Sequence, residues 1–234
     1  MLWIQGSSVV NNQQNHVPHP RDFSARTNVL HYTYFRISEA DYCKCLELKA
    51  TDVSKLGEEE ASNLGNSIHE LAIKAIIFSA MSVEAAINDY AGKQLGDKYF
   101  QQHLASLDLV SKWVIIPRLV CGNSIDKSGA AYNSLKILVS ARNKLVHNKS
   151  QEMDSTNPHA LIEKLEQSDK VFERDFYNSL KTLYLLSMEM DYVVGHMHNP
   201  MGTLNPTFKH TLNIPTIAKD LFNSCKETVL KKYS

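Results

Sequence analysis

The feature that most restricts the fold of this chain is a long segment in which apolar and small residues recur every three or four positions. An α-helix turns by about 100° per residue, so side chains at that spacing share one face. The members of this face are Ile68, Leu71, Ala72, Ala75, Ile76, Ser79, Val83, Ala86 and Ile87. The spacing predicts an amphipathic helix over residues 58–94, with Gly65 at its start or at a kink and Gly96 at its end.

Three further segments show helical spacing, at residues 106–120, 130–147 and 170–195. Pro117 is expected to stop or bend the first of them, because proline lacks the N–H that the helix ladder needs. Asn157 and Pro158 are expected to begin a separate, shorter helix, since proline suits the first helical turn. A last helix is predicted from Pro215, and nothing repeats at a fixed period. These patterns predict an all-α fold, an up-and-down helical bundle.

The segments on either side of the bundle have a different composition. Residues 1–28 are polar and rich in Asn, Gln, Ser and Pro, which is typical of a flexible arm. Residues 30–37 have the β-branched and aromatic content of a lone extended segment, and residues 39–50 are expected to form a short helix capped by Ser38. The chain therefore divides into four predicted parts: a flexible arm at 1–28, an N-terminal extension at 29–60, the helical bundle at 61–195, and a C-terminal extension with one short helix at 196–234.

The overall charge excludes one class of function. The chain has 25 Lys and Arg residues and 25 Asp and Glu residues, so its formal net charge is zero. A general nucleic-acid coat protein would be basic, although a neutral chain can still carry a local basic patch. No apolar run reaches the length of a membrane span, and the N-terminus lacks the pattern of a secretory signal. We expect a cytoplasmic protein with no membrane contact.

The residues that most often bind metals do not form a recognisable site in the sequence. The cysteines are Cys43, Cys45, Cys121 and Cys225, and their spacing matches neither a zinc site nor a disulfide framework. We expect reduced thiols, as in a cytosolic protein. His196 and His198 suggest metal ligands, but a third ligand is not evident, so a polar loop is favoured. The sequence predicts no metal and no cofactor.

Residues 141–148, Ala-Arg-Asn-Lys-Leu-Val-His-Asn, place three chemically useful groups near the end of a predicted helix. Arginine is a fixed cation, and histidine side chains titrate near neutrality. By helical geometry Arg142 lies on the apolar stripe with Leu135, whereas Asn143 and His147 lie at its edge. A cation beside a group that can transfer protons is suited to the cleavage of an RNA phosphodiester without a metal.

An arginine on a core-facing stripe is costly unless a partner or a ligand satisfies it. Glu84 and Asn88 lie one helical turn apart in the first long helix and are candidates to contact Arg142 or to orient His147. A structural alternative stays open, in which Arg142 and Glu84 form a buried link between helices. In that alternative, His147 is a cation at a helix C-terminus, where it interacts favourably with the helix dipole.

Three segments resemble the HEPN superfamily, named for higher eukaryotes and prokaryotes nucleotide-binding. Residues 141–147 resemble its Arg-Asn-x3-His signature near the end of a bundle helix. Residues 78–88 resemble an early helix of the family that often carries Glu and Asn at the positions of Glu84 and Asn88. Residues 106–117 resemble the helix between them, and the likeness covers about residues 65–195.

The resemblance implies a helical bundle that forms a homodimer with two signature helices side by side. It implies a composite cleft that uses Arg142 and His147 of both copies as catalytic residues, with Asn143 in support. Glu84 and Asn88 are carried over as further supporting residues. Many family members are metal-independent ribonucleases of toxin–antitoxin or antiviral-defence systems, so an RNA substrate and an antitoxin or regulatory protein are the implied partners.

The expected reaction is endoribonuclease cleavage, in which the RNA 2′-OH attacks phosphorus and leaves a 2′,3′-cyclic phosphate. Lys144 and Lys149 are candidates to bind RNA phosphates, together with Lys136. Lys149 stands where one subgroup carries a tyrosine that is silenced by adenylylation, so that regulation is not expected here. The alternative is a non-catalytic HEPN module that binds a nucleotide, RNA or a partner protein.

Overall fold

The computed structural model describes residues 26–147, 157–205 and 213–233. The helices in these ranges are α1 (His31–Lys49), α2 (Glu58–Leu95), α3 (Asp97–His103), α4 (Leu109–Cys121), α5 (Ala130–Val146), α6 (Pro158–Val193) and α7 (Lys219–Tyr233). Short 3₁₀ turns lie at Val53–Lys55, His196–His198 and Thr216–Ala218. The described residues contain no β-strand, and the predicted all-α helical bundle is confirmed.

Helix α1 runs antiparallel to α2, and contacts near both of its ends show this direction. The rings of Tyr34 and Phe78 lie 5.9 Å apart, and Cys45 Sγ lies 3.5 Å from the carbonyl oxygen of Ile68. The Ser38 hydroxyl, in the middle of α1, donates to the carbonyl oxygen of Ala75 over 3.0 Å. These contacts place α1 along the middle of α2, from Ile68 to Phe78.

Helices α1 and α5 both pack antiparallel against α6. Tyr42 of α1 stacks on Phe176 at 4.7 Å between ring centroids, and Tyr184 donates to the buried carboxylate of Glu39 over 2.8 Å. Burial and the nearby carboxylate raise the pKa of the Tyr184 phenol. On the α5 side, the Asn178 amide donates to the carbonyl oxygen of Ser134 over 2.8 Å. Both α1 and α5 therefore bury side chains against α6.

The core is one continuous cluster of buried side chains. Its largest fully buried members are Trp113, Tyr184, Phe176, Ile76, Ile87, Ile116, Ile125, Leu135, Leu138, Leu180, Leu183 and Leu185. Phe35 of α1 and Cys225 of α7 belong to the same cluster. Both flanking segments therefore contribute to the core that holds the bundle.

The prediction of an extended segment at residues 30–37 is wrong, since His31 begins a 19-residue helix. The β-branched and aromatic residues there have a preference for strands that tertiary packing overrides. Phe35 and Tyr42 lie two helical turns apart and are both buried. Ser38 lies inside the helix and caps nothing, because its hydroxyl contacts α2.

Two predicted helix ends differ in the structure. Of the two effects expected of Pro117, a stop or a bend, the stop is wrong, because α4 continues to Cys121, and Gly122 follows with a φ of 81°. A left-handed residue of this kind commonly ends a helix, and glycine adopts it without strain. Helix α6 is one helix of 36 residues, not two, and Asn157 caps it by accepting from the Ala160 N–H over 3.2 Å. The buried residues of α6, from Asp175 to Val193, fall in the segment 170–195 for which helical spacing was predicted.

Most of the predicted N-terminal arm, residues 1–25, lies outside the described residues. Arg26, the first described residue, forms ion pairs with Asp89 at 2.5 Å and with Asp97 at 3.1 Å. Near the other end of the chain, the last helix follows a 3₁₀ turn immediately after Pro215. No helix in the described ranges is long and apolar enough to cross a membrane.

Candidate active site

The signature residues Arg142, Asn143 and His147 lie at the C-terminal end of α5. This helix begins at Ala130 and ends at Val146. Arg142 and Asn143 are helical, and His147 is the residue that caps the helix. The His147 N–H donates to the carbonyl oxygen of Asn143 over 3.0 Å. The end of the helix therefore fixes the backbone of all three residues relative to one another.

Arg142 is held by a carboxylate on α2 and by its own neighbour. Its Nη2 donates to Glu84 Oε2 over 3.2 Å, and its Nη1 donates to Asn143 Oδ1 over 3.1 Å. The side chains of Arg142 and Glu84 keep 34% and 38% of their accessible surface. This exposure means that the guanidinium is oriented without being sealed in the core, so solvent and ligands can reach it.

We predict that Glu84→Gln lowers the free energy of unfolding by less than about 1 kcal/mol, because ion pairs with this much solvent contact contribute little. Urea denaturation measures the change. The matched control is Glu70→Gln, since Glu70 lies on the same helix and is 69% exposed, 4.0 Å from Lys74. A loss of about 3–5 kcal/mol for Glu84→Gln alone would instead identify a buried structural link.

Asn88 forms no hydrogen bond with Arg142 in this structure. Its Oδ1 accepts a hydrogen bond from Lys112 Nζ over 3.1 Å. Lys112 is only 6% exposed, and its ammonium lies 5.4 Å from the centre of the Phe100 ring. Lys112 is the main residue near the site that the sequence analysis did not single out. The available signal was a lysine next to Trp113 on the inward stripe of a mostly apolar helix.

Burial lowers the pKa of Lys112, and the carboxylates of Glu84 and Asp108 partly oppose that shift. Below the lowered pKa the folded protein carries the full cost of a desolvated ammonium. As the pH rises through that pKa towards the ordinary value of 10.5, the folded state loses its proton before the unfolded chain does. The contribution of Lys112 to stability therefore rises with pH in this window.

We predict that the free energy of unfolding of the wild type rises relative to that of Lys112→Met as the pH increases through that window. Methionine keeps an apolar stem of similar length but does not titrate. Chemical denaturation of both proteins at a series of alkaline pH values measures the difference. Parallel stability curves for the two proteins would contradict the assignment of a depressed lysine pKa.

An open groove lies beside the end of α5. Asn143, Lys144 and His147 line it together with Lys136 and Ser140, over an apolar floor from Val110 and Val139, and its volume is about 580 Å³. His147 and Asn143 are exposed. Arg142 is not in the lining, but its guanidinium contacts Asn143, which is. The groove therefore collects an imidazole, an amide and two ammonium groups in reach of solvent.

Two of these cations differ in their surroundings. Lys144 lies 3.8 Å from Asp175, which also accepts from Arg174 over 2.6 Å. Lys136 lies over the Tyr132 ring, 5.8 Å from its centre. The predicted RNA contact at Lys149 lies outside the described residues.

The described residues contain no group of three or more His, Cys, Asp or Glu side chains arranged to hold a metal ion. His196 Nδ1 lies 3.0 Å from Asp191 Oδ2, in the 3₁₀ turn that follows α6. Asp191 also accepts from Asn199 over 2.8 Å and from Thr203 over 2.7 Å. These contacts attach the segment after α6 to the end of that helix. The role of Asp191 is therefore structural.

No family model, curated protein or solved structure matches the chain. The chemistry of the site itself therefore has to indicate the function. Its geometry provides a cation held in a fixed direction, an amide that connects this cation to a groove, and an exposed imidazole in that groove. Such a set can bind a phosphate diester and transfer a proton to or from it.

Proposed function

We propose that this protein is a metal-independent endoribonuclease of the HEPN type, active as a homodimer. The observation that carries the proposal is the position of Asn143, which contacts the Arg142 guanidinium and lines the same open groove as His147. A phosphate in this groove would meet the His147 imidazole and the Asn143 amide, which also holds the Arg142 guanidinium beside the groove. Lys136 and Lys144 add positive charge along the same wall.

In the proposed reaction, His147 accepts the proton of the RNA 2′-OH as the oxygen attacks the adjacent phosphorus. Arg142 stabilises the negative charge that develops on the non-bridging oxygens, through N–H donors already oriented by Glu84 and Asn143. The bond to the 5′ oxygen breaks, and that oxygen takes up a proton. The products are a 2′,3′-cyclic phosphate and a 5′-OH.

The need for two proton transfers supports the proposed dimer. One group must accept the proton of the 2′-OH while another protonates the leaving oxygen, and a single copy offers one imidazole to its groove. A second copy placed with its own α5 alongside supplies the second imidazole. Val146, next to His147, is 54% exposed and is suited to the apolar part of such a contact.

Incubation of the purified protein with single-stranded RNA in EDTA tests this proposal. We expect cleavage that persists in the chelator, products that end in a 2′,3′-cyclic phosphate, and no cleavage of DNA of the same sequence, because DNA lacks the attacking hydroxyl. Activity that vanishes with chelation and returns with a divalent metal would contradict the mechanism. Cleavage of DNA would contradict it as well.

One observation favours a second candidate function, a non-catalytic module that binds a nucleotide, RNA or a partner protein. Glu84 already neutralises Arg142, so the guanidinium has less charge to offer a transition state. Growth of cells that express the protein discriminates between the two. Toxicity that is removed by His147→Ala and by Arg142→Ala supports a toxin or defence nuclease under the control of a regulatory protein. Equal growth with wild type and variants supports the binding module.

A further inference from the structure

The groove at the end of α5 continues along the seam between α4 and α5. A second depression, which shares Val110 with the first, is lined by Lys127 and Tyr132. A third shares Val114 and Ile115 with the second and reaches Arg118. We name this continuous surface the basic groove and define it by Arg118, Lys127, Lys136, Lys144 and His147.

The charge of the basic groove is one-sided, although the whole chain is neutral. None of the described residues that line it is an aspartate or a glutamate. Among the described residues, Arg118, Lys127 and Lys136 have no carboxylate within ion-pair distance. Asp126 is next to Lys127 in the chain, but its carboxylate accepts a hydrogen bond from Ser128 and pairs with Lys232 at 3.2 Å.

The carboxylate of Asp126 is committed to those partners. Hydrogen bonds from Ser128 and the nearby Lys232 ammonium lower its pKa to about 2. Lys144 lies 3.8 Å from the Asp175 carboxylate, which also pairs with Arg174. The unpaired cations therefore lie together along one surface, which is the pattern of a site for a polyanion.

The floor of the basic groove is apolar. Val110, Val114, Ile115 and Val139 are partly exposed there, and the Tyr132 ring lies among them. Apolar and aromatic surface flanked by cations suits single-stranded nucleic acid, because bases can pack on the floor while phosphates contact the cations. Duplex nucleic acid would hide its bases from such a floor.

The length of the basic groove sets the size of the ligand. Helix α5 has 17 residues and is about 25 Å long. A stacked single strand advances about 3.4 Å per nucleotide, so the groove can hold about seven nucleotides. A mononucleotide or a small anion would use only a fraction of the cations.

We propose that the basic groove binds single-stranded RNA that extends from the cleavage site towards Arg118 and Lys127, and this inference rests on the proposed nuclease function. A second copy of the chain fits this surface less well. In a two-fold contact the same patch faces itself, which would place the cations of one copy against those of the other. In the proposed dimer, by contrast, only the His147 end of the basic groove lies near the two-fold axis.

RNA binding by the otherwise unchanged His147→Ala protein tests the proposal without cleavage of the probe. We expect Arg118→Gln with Lys127→Gln to weaken binding of a labelled single-stranded RNA of about twelve nucleotides by at least tenfold at about 0.1 M salt. The dependence of log affinity on log salt should become shallower by about 1.4, since each contact with a single strand contributes about 0.7. The control is Lys98→Gln with Lys164→Gln, which removes two exposed lysines outside the groove and should leave affinity unchanged.

Cleavage assays separate failure of the groove from failure of the nuclease proposal. We expect Arg118→Gln with Lys127→Gln to lower kcat/KM for the long RNA at least tenfold, and to leave cleavage of a trinucleotide unchanged. Equal loss in the control pair, or unchanged long-RNA binding, would overturn the groove while the nuclease proposal stands. If the groove variant binds RNA more weakly but the wild type cuts no RNA, the basic groove is retained and the nuclease proposal is rejected. Dissociation of the dimer by the groove variant, with RNA affinity unchanged, would identify the surface as a contact between copies and overturn the proposal.

Discussion

Replacement of His147 by alanine is expected to lower the rate of RNA cleavage by at least about 100-fold, because general acid–base catalysis typically contributes that much or more. His147 is exposed at the end of α5, and its side chain supports no core packing. The substitution should therefore leave the free energy of unfolding within about 0.5 kcal/mol of the wild type. Cleavage of a labelled RNA in EDTA gives the rate, and urea denaturation gives the stability.

His159→Ala is the matched control for this experiment. His159 lies on the first turn of α6, its side chain is 86% exposed, and it lies 3.7 Å from Glu163. It should leave the cleavage rate unchanged. If both histidine variants cleave RNA as fast as the wild type, the imidazole of residue 147 has no catalytic role and the proposed mechanism is wrong.

Replacement of Trp113 by alanine is expected to lower the free energy of unfolding by about 3–5 kcal/mol. Trp113 is fully buried, and it fixes the inward face of α4 together with Ile116. The same helix contributes Val110 to the groove and Lys112 to the contact with Asn88. Loss of the indole should therefore disturb RNA cleavage as well as stability, and both can be measured on one preparation.

Trp113→Phe separates the volume of the indole from its polar atom. Trp113 Nε1 is buried and has no hydrogen-bond partner among the described residues. Phenylalanine fills most of the space and removes this unsatisfied donor, so we expect a loss of less than about 2 kcal/mol. A loss for Trp113→Phe as large as that for Trp113→Ala would show that the indole N–H is satisfied in solution, contrary to this structure.

The sequence predicted the helices wherever an apolar stripe was long. The stripe in residues 58–94 agrees with α2, and the stripe in residues 170–195 covers the second half of α6, which ends at Val193. The prediction failed at residues 30–37, where strand-forming side chains are held in a helix by contacts with α2 and α6. The prediction of a separate short helix at Pro158 also failed. A proline at the first helical position indicates where a helix begins but not how long it is.

Helical spacing also made part of the site predictable. Helical spacing put Arg142 within reach of α2, and the contact with Glu84 could be anticipated from the unfavourable burial of a lone arginine. The contact between Asn88 and Lys112 depends on how α4 crosses α2, which spacing along one helix does not determine. The basic groove was not predictable, since Arg118 and Lys127 lie far from the signature in sequence and join it only through the packing of α4 on α5.

The central claim is that two copies of the chain bring their signature residues to one groove. A crystal structure of the purified protein with a non-cleavable single-stranded RNA tests it most directly. We expect a two-fold dimer in which His147 and Arg142 of both copies open onto the groove that holds the phosphate. A monomer, or a dimer whose two imidazoles face separate surfaces, would contradict the account.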